Sequence, residues 1–356
     1  MKKLFALLLL CCITALSVPA QAPKLKFHND GTFKIAQFSD LHLQVQHPDE
    51  CAKVFARIDY VLNLEKPDLV VVTGDMIFSR PAKDMLQQLV DKLDSHHTPW
   101  CVVYGNHDAE QEMSRPEMSQ LIVKGKYTLD TLNDNGELAD VELPVWSAKN
   151  TDVASFYVYC MDSHDYSRIK GLSGYGWFTP AQVQWMRDCC GVRTDANGQV
   201  APAVAFFHIP LNEYVDAWAP QENARRGAAN PKVGIGIRGE NIAAGAINTG
   251  MFAAMRETGS VIGTFAGHDH DSDFVTAYKG IGLCYGRFSG CNTVYNNLQP
   301  GARIITLREG VREFETWERL DDGRCLNHVR CDGNEITRQP SKPAGALYGT
   351  KTEFPQ

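Results

Sequence analysis

The chain has no surplus of positive charge: 35 lysines and arginines stand against 42 acidic residues, a net charge of −7. That excludes a nucleic-acid polymer held by a basic surface. It does not exclude a small phosphate ester, because bound cations reverse the sign of the field at a site. No C-x-x-C pair occurs among the eleven cysteines, which argues against a cysteine-ligated metal. No internal repeat, coiled coil or interdomain linker is visible.

Long apolar runs are also missing. The most extended, Leu4 to Leu16, falls short of the roughly 20 residues that a membrane-spanning helix needs, and it follows Lys2 and Lys3. Small residues come next, and Ala20-Gln21-Ala22 fits an A-x-A cleavage site, with cleavage expected at Ala20 or Ala22. Residues 1–22 therefore read as a signal peptide, and the protein as exported, periplasmic or secreted, with no stable membrane insertion. Cys11 and Cys12 raise a lipoprotein alternative, but Leu10 stands where a lipobox has a small residue. Nine cysteines remain after cleavage, an odd number that argues against a fully paired framework. Cys325 and Cys331 form the pair expected to bridge, and Cys284 and Cys291 could close a second short loop. Cys101, Cys160 and Cys284 lie in apolar runs and read as buried small hydrophobes.

Strand-like and helix-like segments alternate. Strands are expected at Phe33 to Phe38, Leu69 to Thr73, Trp100 to Tyr104, Ser155 to Met161, Ala203 to Phe207 and Val261 to Ala266. Helices are expected at Cys51 to Leu64, Pro81 to Leu93 and Pro180 to Cys189. The spacing suggests crossover units and a largely parallel sheet. After Gly267 the pattern becomes short and antiparallel in character. Residues 212–245, rich in Ala, Gly, Asn and Arg, read as a functional excursion near the site.

Five polar segments each end an apolar run: Asp40-Leu41-His42, Gly74-Asp75, Gly105-Asn106-His107-Asp108, His208, and Gly267-His268-Asp269-His270. In sheets built from crossover units, ligands sit beyond the carboxyl ends of strands. Asp40, His42 and His270 can serve one metal. Asn106, His208 and His268 can serve another, with Asp75 bridging both. Mixed imidazole and oxygen ligands suit zinc, iron or manganese, divalent or trivalent. If the backbone is extended, both side chains of D-x-H and of H-x-H point the same way and converge. A glycine before Asp75, Asn106 and His268 eases the turn out of each strand. Two adjacent metals bind phosphoryl oxygens and lower the pKa of a shared water, whose hydroxide can attack phosphorus in line. His107, unassigned as a ligand, is the candidate to protonate the leaving oxygen. Asp108 is a candidate to orient it, or else to satisfy loop amides. His164, Tyr175, Trp177, Arg225, Arg226 and Arg238 are further residues that could approach the cleft, although packing or a solvated surface explains them as well.

The five segments resemble the calcineurin-like metallophosphoesterases, whose motifs run D-x-H, G-D, G-N-H-[DE], H and G-H-x-H. The similarity spans Phe33 to about Trp317 and is strongest to the purple-acid-phosphatase-like branch. Phe38 to His42, Phe207 to Leu211, Ala246 to Gly250, Gly267 to Phe274 and Leu283 to Arg287 carry it. The resemblance implies an α/β fold, a four-layer αββα sandwich of two mixed β-sheets flanked by helices. It would occupy residues 23–319, with a C-terminal hairpin and tail at 320–356. It implies metal roles for the seven residues named, leaving-group assistance by His107, and hydrolysis of a small phosphate ester, a monoester first, with a phosphodiesterase acting on nucleotides or phospholipid head groups as the alternative. A catalytically silent binding protein is the reading of another class. The chain departs from the tyrosinate-bearing enzymes at Phe78, where they carry tyrosine. Met76-Ile77-Phe78 also lacks the aspartate and arginine of the phosphoprotein phosphatases.

Overall fold

The structure is a computed structural model; it describes residues 24–347 except 191, 192, 196, 219–226, 229–233 and 292–296. Residues 1–22, read from the sequence as a signal peptide, with Cys11 and Cys12, and Arg225, Arg226 and much of the 212–245 segment lie outside the described residues.

The first half runs β1 (Thr32–Phe38), α1 (Pro48–Glu65), β2 (Leu69–Thr73), α2 (Ala82–Ser95), β3 (Trp100–Val103), α3 (Arg115–Ile122), β4 (Val141–Trp146) and β5 (Ala154–Cys160). Then come α4 (Pro180–Cys190), β6 (Ala203–Phe206), α5 (Glu213–Trp218), β7 (Gly227–Ala228), β8 (Gly234–Ile235), β9 (Ile237–Arg238), α6 (Met251–Thr258) and β10 (Val261–Ala266). The chain closes with β11 (Val275–Tyr278), β12 (Ile281–Tyr285), β13 (Gly301–Arg308), β14 (Phe314–Leu320), β15 (Cys325–Cys331) and β16 (Ile336–Arg338).

Two mixed seven-stranded sheets result, ordered β16-β15-β14-β13-β1-β2-β3 and β4-β5-β6-β10-β12-β11-β8. Alternation along each strand explains how they stack. Phe33 and Ile35 of β1, Val71 of β2, Val158 of β5, Phe206 of β6 and Phe265 of β10 share one core between the sheets. The intervening residues, such as Ala36, Phe38, Val70 and Val72, pack outward under α1 to α3 with Val54, Ile58, Leu86 and Leu89. On the other side Tyr157, Tyr159, Ala203 and Ala205 pack under α4 to α6 with Met186, Tyr214 and Met255. These are the four layers expected of the fold.

The helices begin where the sequence supplies caps. Pro48 and the acidic Asp49 and Glu50 open α1, and Lys66, at φ 48°, ends it before Pro67. Ser114 and Glu117 form a reciprocal capping box at α3. The antiparallel pairing expected after Gly267 is present in β11 with β12 and in β13 through β16, and β12 also pairs parallel with β10. One expectation changes. Cys325 and Cys331 are free thiols at opposite ends of the seven-residue β15. They are separated by about 20 Å of extended backbone, well beyond the reach of a disulfide. Cys284 and Cys291 are free too, and Cys101, Cys160 and Cys284 are buried.

Candidate metal centre

The site lies where five strands end. Asp40 and His42 follow β1, Asp75 follows β2, and Asn106 follows β3; His208 follows β6, and His268 and His270 follow β10. Convergence does not come from extended backbone. Asp40, His42, Asp75 and His268 have φ of 55°, 44°, 50° and 77°. Left-handed conformations are uncommon for residues with a Cβ, and they concentrate at functional sites. The segments at Asp40, Asp75 and His268 therefore turn out of their strands at once. The glycines act differently from one another. Gly74 adopts φ 83°, whereas Gly105 is needed for space, because a Cβ there would collide with the Asp75 carboxylate.

The side chains meet in two overlapping groups. Ligand atoms of Asp40, His42, Asp75 and His270 lie within 4.8 Å of one another, as do those of Asp75, His208 and His268. Asp75 belongs to both. Its Oδ2 is 3.6 Å from His42 Nε2 and 3.4 Å from His208 Nε2, and His270 Nε2 is 3.4 Å from Asp40 Oδ1. Asn106 enters through Oδ1, 3.1 Å from His208 Nε2. His42 Nε2, Asp75 Oδ2 and His268 Nε2 are buried without a hydrogen-bond partner. Such atoms are costly unless something fills the space between them. Imidazole and carboxylate lone pairs aimed at common points are what two cations require.

Secondary contacts fix the ligand orientations. His208 Nδ1 is 2.7 Å from the Thr73 carbonyl, which leaves Nε2 facing the site. Asp40 accepts the His268 backbone N–H at 3.2 and 3.1 Å and a hydroxyl hydrogen from Ser39. Asp75 Oδ1 accepts the His107 N–H at 2.8 Å. Burial pushes His42 down to about 4 and His268 to about 3, so both are neutral, as ligands must be. For His208 burial acts downward as well, but the charge and hydrogen bond of Asp75 prevail and lift it to about 10. Asp40 is also opposed by burial, yet contacts with His270 and the charge of His208 bring it to about 2.

His107 sits at the rim, its ring 5.6 Å from His42 and 5.4 Å from Phe78. Asp108 does not orient it. That carboxylate is fully buried and accepts the N–H groups of Asp75 (3.0 Å), Gly105 (2.8 Å), Met76 (2.8 Å) and Ile77 (3.2 Å). Its burial and the nearby Asp75 charge push its pKa up to about 6. The ring is held instead by Glu110, whose Oε2 is 2.6 Å from His107 Nδ1. Tyr166 was missed as well: it donates to Glu110 Oε1 at 2.7 Å and accepts from Asn106 Nδ2 at 3.0 Å. The i,i+3 spacing of His107 and Glu110 was a readable signal. Tyr166, 60 residues from Asn106, offered none.

Tyr175 stands edge-on to His268, with ring centroids 4.2 Å apart, and stacks on Tyr166. Trp177, His164, Tyr166 and Arg168 line a cavity of about 210 Å³ beside it. His164 itself bonds to Gln182, and Arg238 to the Glu240 carbonyl.

Residues 33–272 match the family model described as calcineurin-like phosphoesterase. Similar chains include "Probable inactive purple acid phosphatase 29" of Arabidopsis thaliana, 30% identical over 87% of this chain and 88% of that one. "Phosphatase DCR2" of Saccharomyces cerevisiae is 29% identical over 85% of this chain and 56% of its own length. Among solved structures, a dimetal phosphatase from Danio rerio superposes with a TM-score of 0.58, covering 85% of this chain and 99% of that one at 15% identity. The two stacked sheets, the paired ligand groups and these likenesses agree, and the chain belongs to the calcineurin-like phosphoesterase family.

Proposed function

We propose that this protein is an exported, binuclear-metal phosphoesterase that hydrolyses a small phosphate monoester. One observation carries the reading: seven buried or half-buried side chains converge in two groups around Asp75, and three of the atoms facing one another there, His42 Nε2, Asp75 Oδ2 and His268 Nε2, have no hydrogen-bond partner. Asp40, His42 and His270 would hold one ion and Asn106, His208 and His268 the other, with Asp75 shared. Iron, manganese or zinc fits the donor set. When bound, such ions neutralise phosphoryl charge and lower the pKa of a water.

The chain's own groups do the rest. His107, at the rim and 34% exposed, can give a proton to the departing oxygen. Phe78 beside it presents an apolar edge to the leaving group and no phenolate to a metal, so an iron-loaded protein is expected to lack a tyrosinate colour. The net charge of −7 supports a small substrate over a nucleic-acid polymer.

A catalytically silent binding protein is the competing reading, and it is favoured by the name "probable inactive" that the Arabidopsis relatives bear. Against it, no ligand of the seven is missing from this chain. Metal analysis, together with turnover of p-nitrophenyl phosphate and its bis ester, tests all three readings. Metal uptake with faster cleavage of the monoester is expected. Preference for the bis ester would make it a diesterase. Metal uptake without turnover of either ester under iron, manganese or zinc would favour the silent protein, and failure to bind metal would end the proposal.

A further inference from the structure

We infer that Glu110 is the positioning residue for His107, holding its Nδ1–H so that Nε2 is the ring nitrogen that faces the cleft; this rests on the phosphoesterase reading above. Each Glu110 oxygen has its own partner: Oε2 lies 2.6 Å from His107 Nδ1, and Oε1 accepts the Tyr166 hydroxyl at 2.7 Å. Tyr166 in turn accepts from Asn106 Nδ2 at 3.0 Å. The chain Asn106–Tyr166–Glu110–His107 thus leads from a metal-ligand candidate to the rim histidine. A carboxylate can only accept, so Nδ1 must be the N–H end of the ring. Nε2 is left to face the departing oxygen. Glu110 has a second brace that fixes its rotamer, because it cannot swing from His107 without surrendering the Tyr166 hydroxyl.

In the step so arranged, the attacking water oxygen bonds to phosphorus and releases a proton to solvent. The bond from phosphorus to the alcohol oxygen breaks, and the proton on His107 Nε2 passes to that oxygen. The ring is left as the Nδ1–H tautomer that Glu110 already holds, and solvent returns a proton to Nε2. Orientation of the donor matters most when the departing oxygen is strongly basic.

The test compares wild type, Glu110→Ala and Glu110→Gln. Both side chains are about one-third exposed, so truncation leaves no buried orphan. Glu110→Ala is expected to lose about tenfold or more in kcat on an alkyl phosphate, and under about threefold on p-nitrophenyl phosphate, with metal content unchanged. Glutamine keeps an acceptor oxygen and should restore most of the alkyl rate. Histidine-selective ¹⁵N spectra of metal-free protein should show His107 as the Nδ1–H tautomer in wild type and a mixture in Glu110→Ala. Equal losses on both esters, no loss, or an unchanged tautomer would overturn the inference while leaving the phosphoesterase reading intact. A wild type that cleaves no ester overturns both.

Discussion

Replacing Asp108 by alanine separates two accounts of that residue. In the structure its carboxylate gathers four backbone N–H groups, from Asp75, Met76, Ile77 and Gly105. Truncation would leave them without an acceptor. At about 1.5–2 kcal/mol for each bond to a charged group, the loss is about 6–8 kcal/mol. Part is returned, because the carboxylate itself is costly to bury. A pKa raised from 3.8 to about 6 corresponds to about 3 kcal/mol. The net destabilisation is about 3–5 kcal/mol, which lowers Tm by about 6–10 °C at roughly 2 °C per kcal/mol. The same N–H groups lie in the loops that carry Asp75 and Asn106, so metal content should fall with stability. Scanning calorimetry on chelated and reloaded protein, with metal analysis, reads both. If Tm stays within about 2 °C and metal content is unchanged while turnover drops, Asp108 serves His107 and the amide account is wrong.

Other substitutions test other parts of the site. Asp75→Asn removes the oxygen shared by both ligand groups and should abolish activity and weaken metal uptake; retention of two ions per chain would contradict the bridging assignment. His107→Asn should cut turnover about 10²–10⁴-fold and keep the metals, and loss of metal would show the histidine to be a ligand. Asp130 is buried, and that burial pushes its pKa up to about 7. Its folded value exceeds the unfolded one, so the stability it contributes is complete below about pH 4 and is lost as pH rises to 7. Asp130→Asn, which keeps an acceptor for Val102 N–H and Thr128, should therefore gain on wild type by about 4 kcal/mol between pH 4 and 8. Urea midpoints that keep a constant gap across that range would refute it.

The ligand residues were legible because each ends an apolar run, and strand ends are where such sheets collect ligands. What the sequence hid was direction. Asp108 adjoins His107, but adjacency does not say that the 3₁₀ turn at Asp108–Glu110 sends one carboxylate inward and the other to the ring. Extended alternation seemed enough to bring Asp40 and His42 together, yet left-handed turns do it, a backbone choice with no side-chain signature. The Cys325–Cys331 bridge rested on short spacing, which fails when one strand holds both residues straight. The pairing of β10 with β12 was hidden because parallel neighbours need not be adjacent in sequence. The helix α3 carried its capping box in plain view, but its eight residues are too few for a clear apolar period.

The shared position of Asp75 has a mechanical meaning. Asp40, His42, Asp75 and Asn106 hang from one sheet, and His208, His268 and His270 from the other. Each ligand group draws on both. Neither half of the sandwich owns a complete set, so an ion can be held only when the two slabs are seated in register. Bound metal would act as a rivet through their common edge, and metal affinity becomes a gauge of how squarely the slabs meet. Substitutions deep in the intersheet core, far from any ligand, should then register first as metal loss and only later as unfolding.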